Sequence, residues 1–469
     1  MKIAMDKLCM IFSRAFDLIE EEQLGASENH SLRVAVMCIT MGRRLGYDDD
    51  AISAITVCGM FHDSALTEYH LSQEEGIHQE RNMLLHCKKG QENVSWLPFN
   101  ADIEKLVLYH HERGDGRGPF HRTENEIPIE AAIIAAADAV DAANHLQNVT
   151  PGELPALREK IASRALKYST RAAIDVLLDV LDEDLLEKLR DENVTQVLAR
   201  ELPPWEVDIE DPRIIRVGEF IACVIDYKSE FTHMHTSQIA NRAWIMAEHY
   251  GYDTTERHAL FLAASLHDLG KIGVPTAILE KPGKLDDEEF NTIKGHVKNT
   301  LDWLGEMPDD FANIKNWAAN HHEKIPGAGY SRGLSGEELD FNSRLMACID
   351  IYEAVCEPRP YHGARSHEET MEILYDMSSN GFIDSKIAED IDVVMAKYSM
   401  KTVPSPLEDS ADETPVEISE VRKSGKKTAS VGYRCDICGY FHAGDDLPED
   451  FTCPICRSDA SHFLKTTSL

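Results

Sequence analysis

The chain has 469 residues, 43% of them hydrophobic and 28% charged, as expected of a soluble globular protein with two or three domains. Its 82 acidic side chains outnumber 47 basic ones, and the net charge of −35 disfavours nucleic-acid polymers and anionic membranes as partners. No apolar run is long enough to span a bilayer and no secretory leader is evident, so a cytoplasmic location is expected.

Read in order, the chain contains itself twice. Asn29-His30-Ser31-Leu32-Arg33-Val34 opens a predicted helix that ends near Gly46, and Phe61-His62-Asp63 closes a second. His86, then His110-His111-Glu112, then Asp138 follow. Ile161 to Asn193 has apolar residues three and four apart and no Pro or Gly, which reads as helix. Pro203-Pro204 through Pro212 marks the predicted boundary between domains 1–203 and 204–400.

The second copy begins with a predicted helix from His235 to about Gly251. His258 to Leu266 reads as a buried helix, broken by Gly270 and Gly273 within His267-Asp268-Leu269-Gly270-Lys271-Ile272-Gly273-Val274-Pro275. His296, His321-His322-Glu323 and Asp350 follow in the same order as before. The interval from His30 to His62 is 32 residues, and so is that from His235 to His267. Two copies at a period of about 205 residues indicate domain duplication, not a solenoid. Residues 401–430, rich in Pro, Ser and charge, read as a flexible linker to a last module at 431–469.

An adjacent imidazole and carboxylate can hold one metal and bridge to a second. A single such pair is usually a capped helix end, but the whole set occurs twice in one order. Ligands converging from separate helices build a buried two-metal site in a bundle. Imidazole with carboxylate suits iron, manganese or zinc. Two divalent metals activate a bridging water and brace a phosphodiester, and Lys271 can lie beside the phosphate.

In the last module, Cys435-Asp436-Ile437-Cys438 and Cys453-Pro454-Ile455-Cys456 are separated by 14 residues, a tetrahedral thiolate pattern. So short a segment needs its metal to fold. The remaining seven cysteines read as reduced thiols filling cores.

These residues carry resemblances. Over roughly Val207 to Met400 the second copy resembles an HD-GYP domain of the HD phosphohydrolase superfamily. The likeness rests on Asp226-Tyr227-Lys228-Ser229-Glu230-Phe231-Thr232, the His267–Pro275 stretch, His296, His321-His322-Glu323 leading to Gly329-Tyr330, Asp350, and Arg359-Pro360-Tyr361. It implies hydrolysis of cyclic di-GMP or a related cyclic dinucleotide. It implies His235, His267, Asp268, His296, His321, His322 and Asp350 as ligands of two divalent metals, with Asp268 bridging and iron favoured over manganese or zinc. Asp268 and Lys271 would be catalytic, and Lys271, Tyr330 and Arg359 would hold substrate. Phe231 replaces the carboxylate of trinuclear members. Ser331 replaces the usual proline, Pro326 precedes Gly327 where Asp-Gly is usual, and His362 replaces a basic residue.

The first copy resembles the broader HD superfamily and keeps His30, His62, Asp63, His86, His110, His111 and Asp138 as a candidate second metal site. Leu66 and Gln147 stand at the positions of Lys271 and Arg359, so both phosphate-gripping charges are missing. The cysteine module resembles rubredoxin, especially the short rubredoxin domain of rubrerythrin. One iron on Cys435, Cys438, Cys453 and Cys456 is implied, and an electron-transfer partner with it. Arg457, where glycine is usual, leaves zinc open.

The expected fold class is mainly α: two tandem all-helical HD domains plus a small C-terminal rubredoxin-like metal-bound β module. The expected function is a metal-dependent cyclic-dinucleotide phosphodiesterase gated by the redox state of that module. The alternatives are an HD-type di-iron oxygenase and a non-catalytic redox or nucleotide sensor. The sequence does not fix the oligomeric state.

Overall fold

The computed structural model describes residues 1–25, 27–65, 80–226, 228, 235–281, 283–330, 332–357, 365–398, 403–409, 430–435, 441–443, 447 and 463–468. The two copies use the same local chemistry. In the first, helices span Met5–Leu24, His30–Leu45, Asp49–Met60, Glu80–Val94 and Ile129–Asn144. Gly46, at φ +77°, ends the His30–Leu45 helix, and the Asp48 carboxylate accepts the Ala51 N–H at 2.9 Å to start the next. In the second, helices span Arg213–Asp226, His235–His249, Thr254–Leu266, Asp287–Leu304 and Phe341–Cys356. Gly251 again takes a positive φ, of +70°, and Asp253 forms a capping box with Glu256.

The helix opened by the first histidine lies at the centre of each domain. His30–Leu45 packs against Asp49–Met60, Ile129–Asn144, Arg171–Val180 and Asp191–Glu201. His235–His249 packs against Arg213–Asp226, Thr254–Leu266 and Phe341–Cys356. Ile161 to Asn193 is helical but broken, with Arg171–Val180 and Glu183–Lys188 inside it. The breaks fall where Thr170 Oγ1 accepts the Ala173 N–H (3.3 Å) and Asp182 accepts that of Leu185 (2.9 Å). Side chains that cap a backbone restart a helix even without Pro or Gly.

Both domains share one apolar core. Phe61 of the first meets Phe220 of the second edge-on, with centroids 5.3 Å apart, and Phe16 packs on Phe61 at 6.4 Å. Met5, Leu8 and Phe12 line the same seam with Val217 and Ile221. A short strand, Lys2–Ala4, pairs antiparallel with Glu206–Asp208, setting Ile3 opposite Val207. No helix among the described residues is long and apolar enough to cross a membrane.

The expected linker begins with a docked stretch. Val403 is buried, its N–H donates to Gln238 Oε1 at 2.7 Å, and its carbonyl accepts from Asn241 Nδ2 at 3.1 Å. Further on, strand Ser430–Cys435 lies between Phe441–Ala443 and Phe463–Ser468, antiparallel to both. Cys435 ends that strand; Cys438, Cys453 and Cys456 lie outside the described residues.

Candidate metal centres

Helix Thr254–Leu266 delivers His267 and Asp268 just past its last turn, into a buried position. The chain then turns through Leu269–Gly273 and presses on the Asp287–Leu304 helix. Gly270 permits that approach, since a Cβ there would lie 1.9 Å from the His296 carbonyl oxygen. Gly270→Ala is therefore expected to push His296 out of place at a cost of about 3 kcal/mol. Calorimetry and metal analysis of that variant check this, and an unchanged melting curve with full metal content would refute it.

Asp268 is the hub. Its Oδ2 lies 3.1 Å from His267 Nε2, 3.8 Å from His235 Nε2 and 2.5 Å from Lys271 Nζ. Its Oδ1 lies 3.4 Å from His296 Nε2 and 3.9 Å from His321 Nε2. Asp350 closes the ring, with Oδ1 3.7 Å from His235 Nε2 and Oδ2 3.4 Å from His322 Nδ1. The donor atoms sort into two adjoining groups, His235-His267-Asp268 and His296-His321-His322. Three imidazoles are aimed by their own backbone. The Nδ1 atoms of His267, His296 and His321 sit 2.7, 2.6 and 2.7 Å from the carbonyls of Ala264, Ile293 and Ala318. With Nδ1–H donating there, each Nε2 lone pair faces inward, the usual arrangement of a metal-ligating histidine.

The first domain repeats this. Asp63 Oδ1 lies 3.1 Å from His86 Nε2 and 3.5 Å from His110 Nε2, and Oδ2 lies 3.5 Å from His62 Nε2. Asp138 faces His30 Nε2 at 3.3 Å, His62 Nε2 at 3.7 Å and His111 Nδ1 at 3.8 Å. His62 and His110 donate through Nδ1 to the carbonyls of Gly59 (2.8 Å) and Val107 (2.5 Å). All seven first-copy residues singled out from sequence come together, as do the seven of the second.

The electrostatics fit a divalent cation in both centres. Burial would raise the Asp268 carboxyl, but the His267 imidazole and Lys271 ammonium outweigh it and hold the group well below the usual carboxylate range. Asp63 is likewise held well below that range, burial being outweighed by His62, His110 and His86. Burial pushes His296 down to about 4, and burial with neighbouring imidazoles lowers His321, His322, His86 and His111. Neutral imidazole and ionised carboxylate are the forms that bind metal. Burial also works against a proton on His235, but Asp350 and Glu357 push its pKa up to about 10. The pocket thus favours positive charge. His267 Nε2 and Asp268 Oδ1 are sealed from solvent yet make no hydrogen bond, and the same holds for His62 Nε2 and Asp63 Oδ1. Such atoms are costly unless an ion sits between them.

Supporting residues escaped the sequence reading. His30 Nδ1 lies 2.7 Å from Asp141 Oδ2, and Asp141 is in turn held by the wholly buried Arg33. His235 Nδ1 lies 3.2 Å from Glu357 Oε2. Asp141 falls one helical turn after Asp138 and Glu357 two turns after Asp350, a spacing that would have placed them on the ligand faces. Tyr330 lies against His322, with centroids 4.6 Å apart, and Lys294 Nζ sits 5.6 Å above the Tyr330 ring. Arg359, Ser331, Phe231, His362 and Leu66 lie outside the described residues, whereas Gln147 is buried.

Two family models described as HD domain match residues 28–143 and 219–387, and a model described as rubrerythrin, rubredoxin-like domain matches 433–464. The chain is 27% identical over 413 residues to the 3'3'-cGAMP-specific phosphodiesterase 1 of Vibrio cholerae serotype O1, covering 84% of this chain and 93% of that protein. It is 33% identical over 156 residues to the cyclic di-GMP phosphodiesterase response regulator RpfG of Xanthomonas campestris pv. campestris, covering 33% of this chain and 41% of that one. Among solved structures, a V. cholerae cyclic GMP-AMP phosphodiesterase, V-cGAP3, shares the fold at a TM-score of 0.57 and 18% identity, covering 84% of this chain and 98% of that chain. The chain thus carries two HD domains in tandem, followed by a rubredoxin-like domain.

Proposed function

We propose that this protein is a metal-dependent phosphodiesterase that hydrolyses a cyclic dinucleotide, cyclic di-GMP or 3'3'-cGAMP, in its second HD domain. The observation that carries this is Lys271 Nζ at 2.5 Å from Asp268, beside a full set of buried imidazoles and carboxylates. We assign domains to 1–203, 204–400 and 431–469, with a tether at 401–430.

His235, His267, Asp268, His296, His321, His322 and Asp350 would hold two divalent cations, iron before manganese or zinc. When bound, such a pair supplies Lewis acidity to the attacking water and to the phosphodiester. Lys271 meets phosphate charge as a point cation, with Arg359 as its bidentate partner. Tyr330 stays protonated, because burial and then Asp350 raise its pKa, so it offers a donor and an apolar face to the nucleotide.

His30, His62, Asp63, His86, His110, His111 and Asp138 would hold metal in the first domain, where Leu66 and Gln147 supply no charge to grip phosphate, so that this site would be regulatory or of different specificity. Cys435, Cys438, Cys453 and Cys456 would hold one iron, and that iron would supply one-electron redox chemistry linking an electron-transfer partner to the second centre. Cys453→Ser should then make hydrolysis indifferent to added reductant; unchanged sensitivity to oxidant would end that part of the reading.

Anaerobic purification with metal analysis, followed by assays on both cyclic dinucleotides, tests the whole. Turnover in the ferrous form is expected. A fully loaded second centre that turns over neither nucleotide would refute the assignment and favour a sensor. Stripping the metals is expected to lower the melting temperature by about 10 °C, since saturating a site at a thousandfold its Kd contributes about 4 kcal/mol. An unchanged melting curve after chelation would argue against metal in either domain.

A further inference from the structure

The first domain meets the second through several charged contacts, among them Arg14 with Glu306 at 2.7 Å and Lys2 with Glu206 at 3.5 Å, and one more, at Glu22, bears on the second centre. Asp17 and Asp226 do the same work in the two copies, accepting the N–H of the residue after the first histidine, Ser31 at 2.9 Å and Thr236 at 3.1 Å. From Asp17 to His30 is 13 residues, whereas from Asp226 to His235 is only 9. The longer interval lets the Met5–Leu24 helix run on, and its last turns carry Glu20 and Glu22. Two residues apart, these face opposite sides of the helix. Glu20 is buried in its own domain, 3.5 Å from Ser31 Oγ. Glu22 points across the seam.

There Glu22 gathers three donors, all from the second domain. Its Oε1 accepts the Thr276 backbone N–H at 2.7 Å. Its Oε2 accepts from Thr276 Oγ1 at 3.2 Å and from the buried Lys228 ammonium. Thr276 follows the turn that carries Lys271, and Pro275 between them stiffens the connection. The turn itself packs on the Met5–Leu24 helix. Its other side is fixed within its own domain, where the Gly270 N–H donates to Thr300 Oγ1 at 2.9 Å. The segment bearing Lys271 is therefore clamped from both sides, and one jaw belongs to the first domain.

We propose that Glu22 is a positioning residue for Lys271, so that the second centre grips phosphate properly only with the first domain's long helix docked on it. This rests on the reading of the second domain as a phosphodiesterase. A misplacement of about 1 Å at a reacting group can cost a hundredfold in rate, and loss of one jaw is a smaller disturbance than that.

The test uses the full, metal-loaded chain with Glu22→Ala, Thr276→Val, Lys271→Met and the Glu22→Ala/Lys271→Met double variant. The expected result for Glu22→Ala is a fall of about tenfold or more in kcat/KM, with second-domain metal content unchanged. The double variant should be no worse than Lys271→Met alone. Multiplying losses, or a fall in metal content that accounts for the lost activity, would overturn the inference. If Glu22→Ala does not fold, Thr276→Val removes the Oγ1 part of the contact while keeping the backbone N–H bond, and must show a smaller loss with the same dependence on Lys271. Affinity for inorganic phosphate, measured by calorimetry, separates this idea from the reading beneath it. If the wild type cleaves neither nucleotide, phosphate should still bind about tenfold more weakly to Glu22→Ala, and equal affinities would reject the positioning role by themselves.

Discussion

Alanine in place of Asp268 is expected to empty the second centre and to lower hydrolysis by about a thousandfold or more. The reason is geometric. One oxygen of this carboxylate faces His267 and His235, and the other faces His296 and His321, at 3.1–3.9 Å. Asp350 also reaches both groups, but through one imidazole of each, His235 at 3.7 Å and His322 at 3.4 Å, whereas Asp268 faces two in each. Its removal also leaves several inward-facing imidazoles without their counter-charge. Metal analysis should show two fewer ions per chain, and Asp63→Ala should show the same deficit in the first domain. Turnover within tenfold of wild type in Asp268→Ala would mean that hydrolysis happens elsewhere.

Lys271→Met should separate gripping from metal binding. Methionine keeps an apolar stem of similar length and removes the charge. Both metals should remain, because the ligand atoms come from other residues, while kcat/KM falls by about a hundredfold. Steady-state kinetics beside metal analysis check this. Loss of metal together with activity would instead make Lys271 a partner that holds Asp268 in place, as its 2.5 Å contact also allows.

Much of this was readable from residue order. The repeated interval from His30 to His62 and from His235 to His267 identified the duplication, and every repeated histidine and aspartate converges with its set. These residues were legible because a metal centre needs particular side chains, and such side chains stand out in an apolar run. The supporting carboxylates Asp141 and Glu357 were harder to see, since an acidic residue on a helix is ordinarily solvated. Their contacts with His30 and His235 depend on which helices meet. The breaks within Ile161–Asn193 were missed because Thr170 and Asp182 act through caps, which periodicity does not reveal. The seam through Phe61 and Phe220 joins residues far apart in the chain, and one copy's pattern of apolar residues cannot specify which neighbour covers it.

The strand pair at the chain's beginning constrains the order of folding. Lys2–Ala4 pairs with Glu206–Asp208, so this strand waits during synthesis for a partner about 200 residues behind it. Closing so long a loop is entropically slow, and domains formed during synthesis normally rely on nearer contacts. The Met5–Leu24 helix, which follows that strand directly and lies against the seam, should therefore dock late, after the start of the second domain has emerged. A first domain cut at residue 203 would lack its partner strand and bare Met5, Leu8 and Phe12 to water. Folding of the two halves is then a single event with a direction, and separating them on paper at the proline pair is easier than separating them in a test tube.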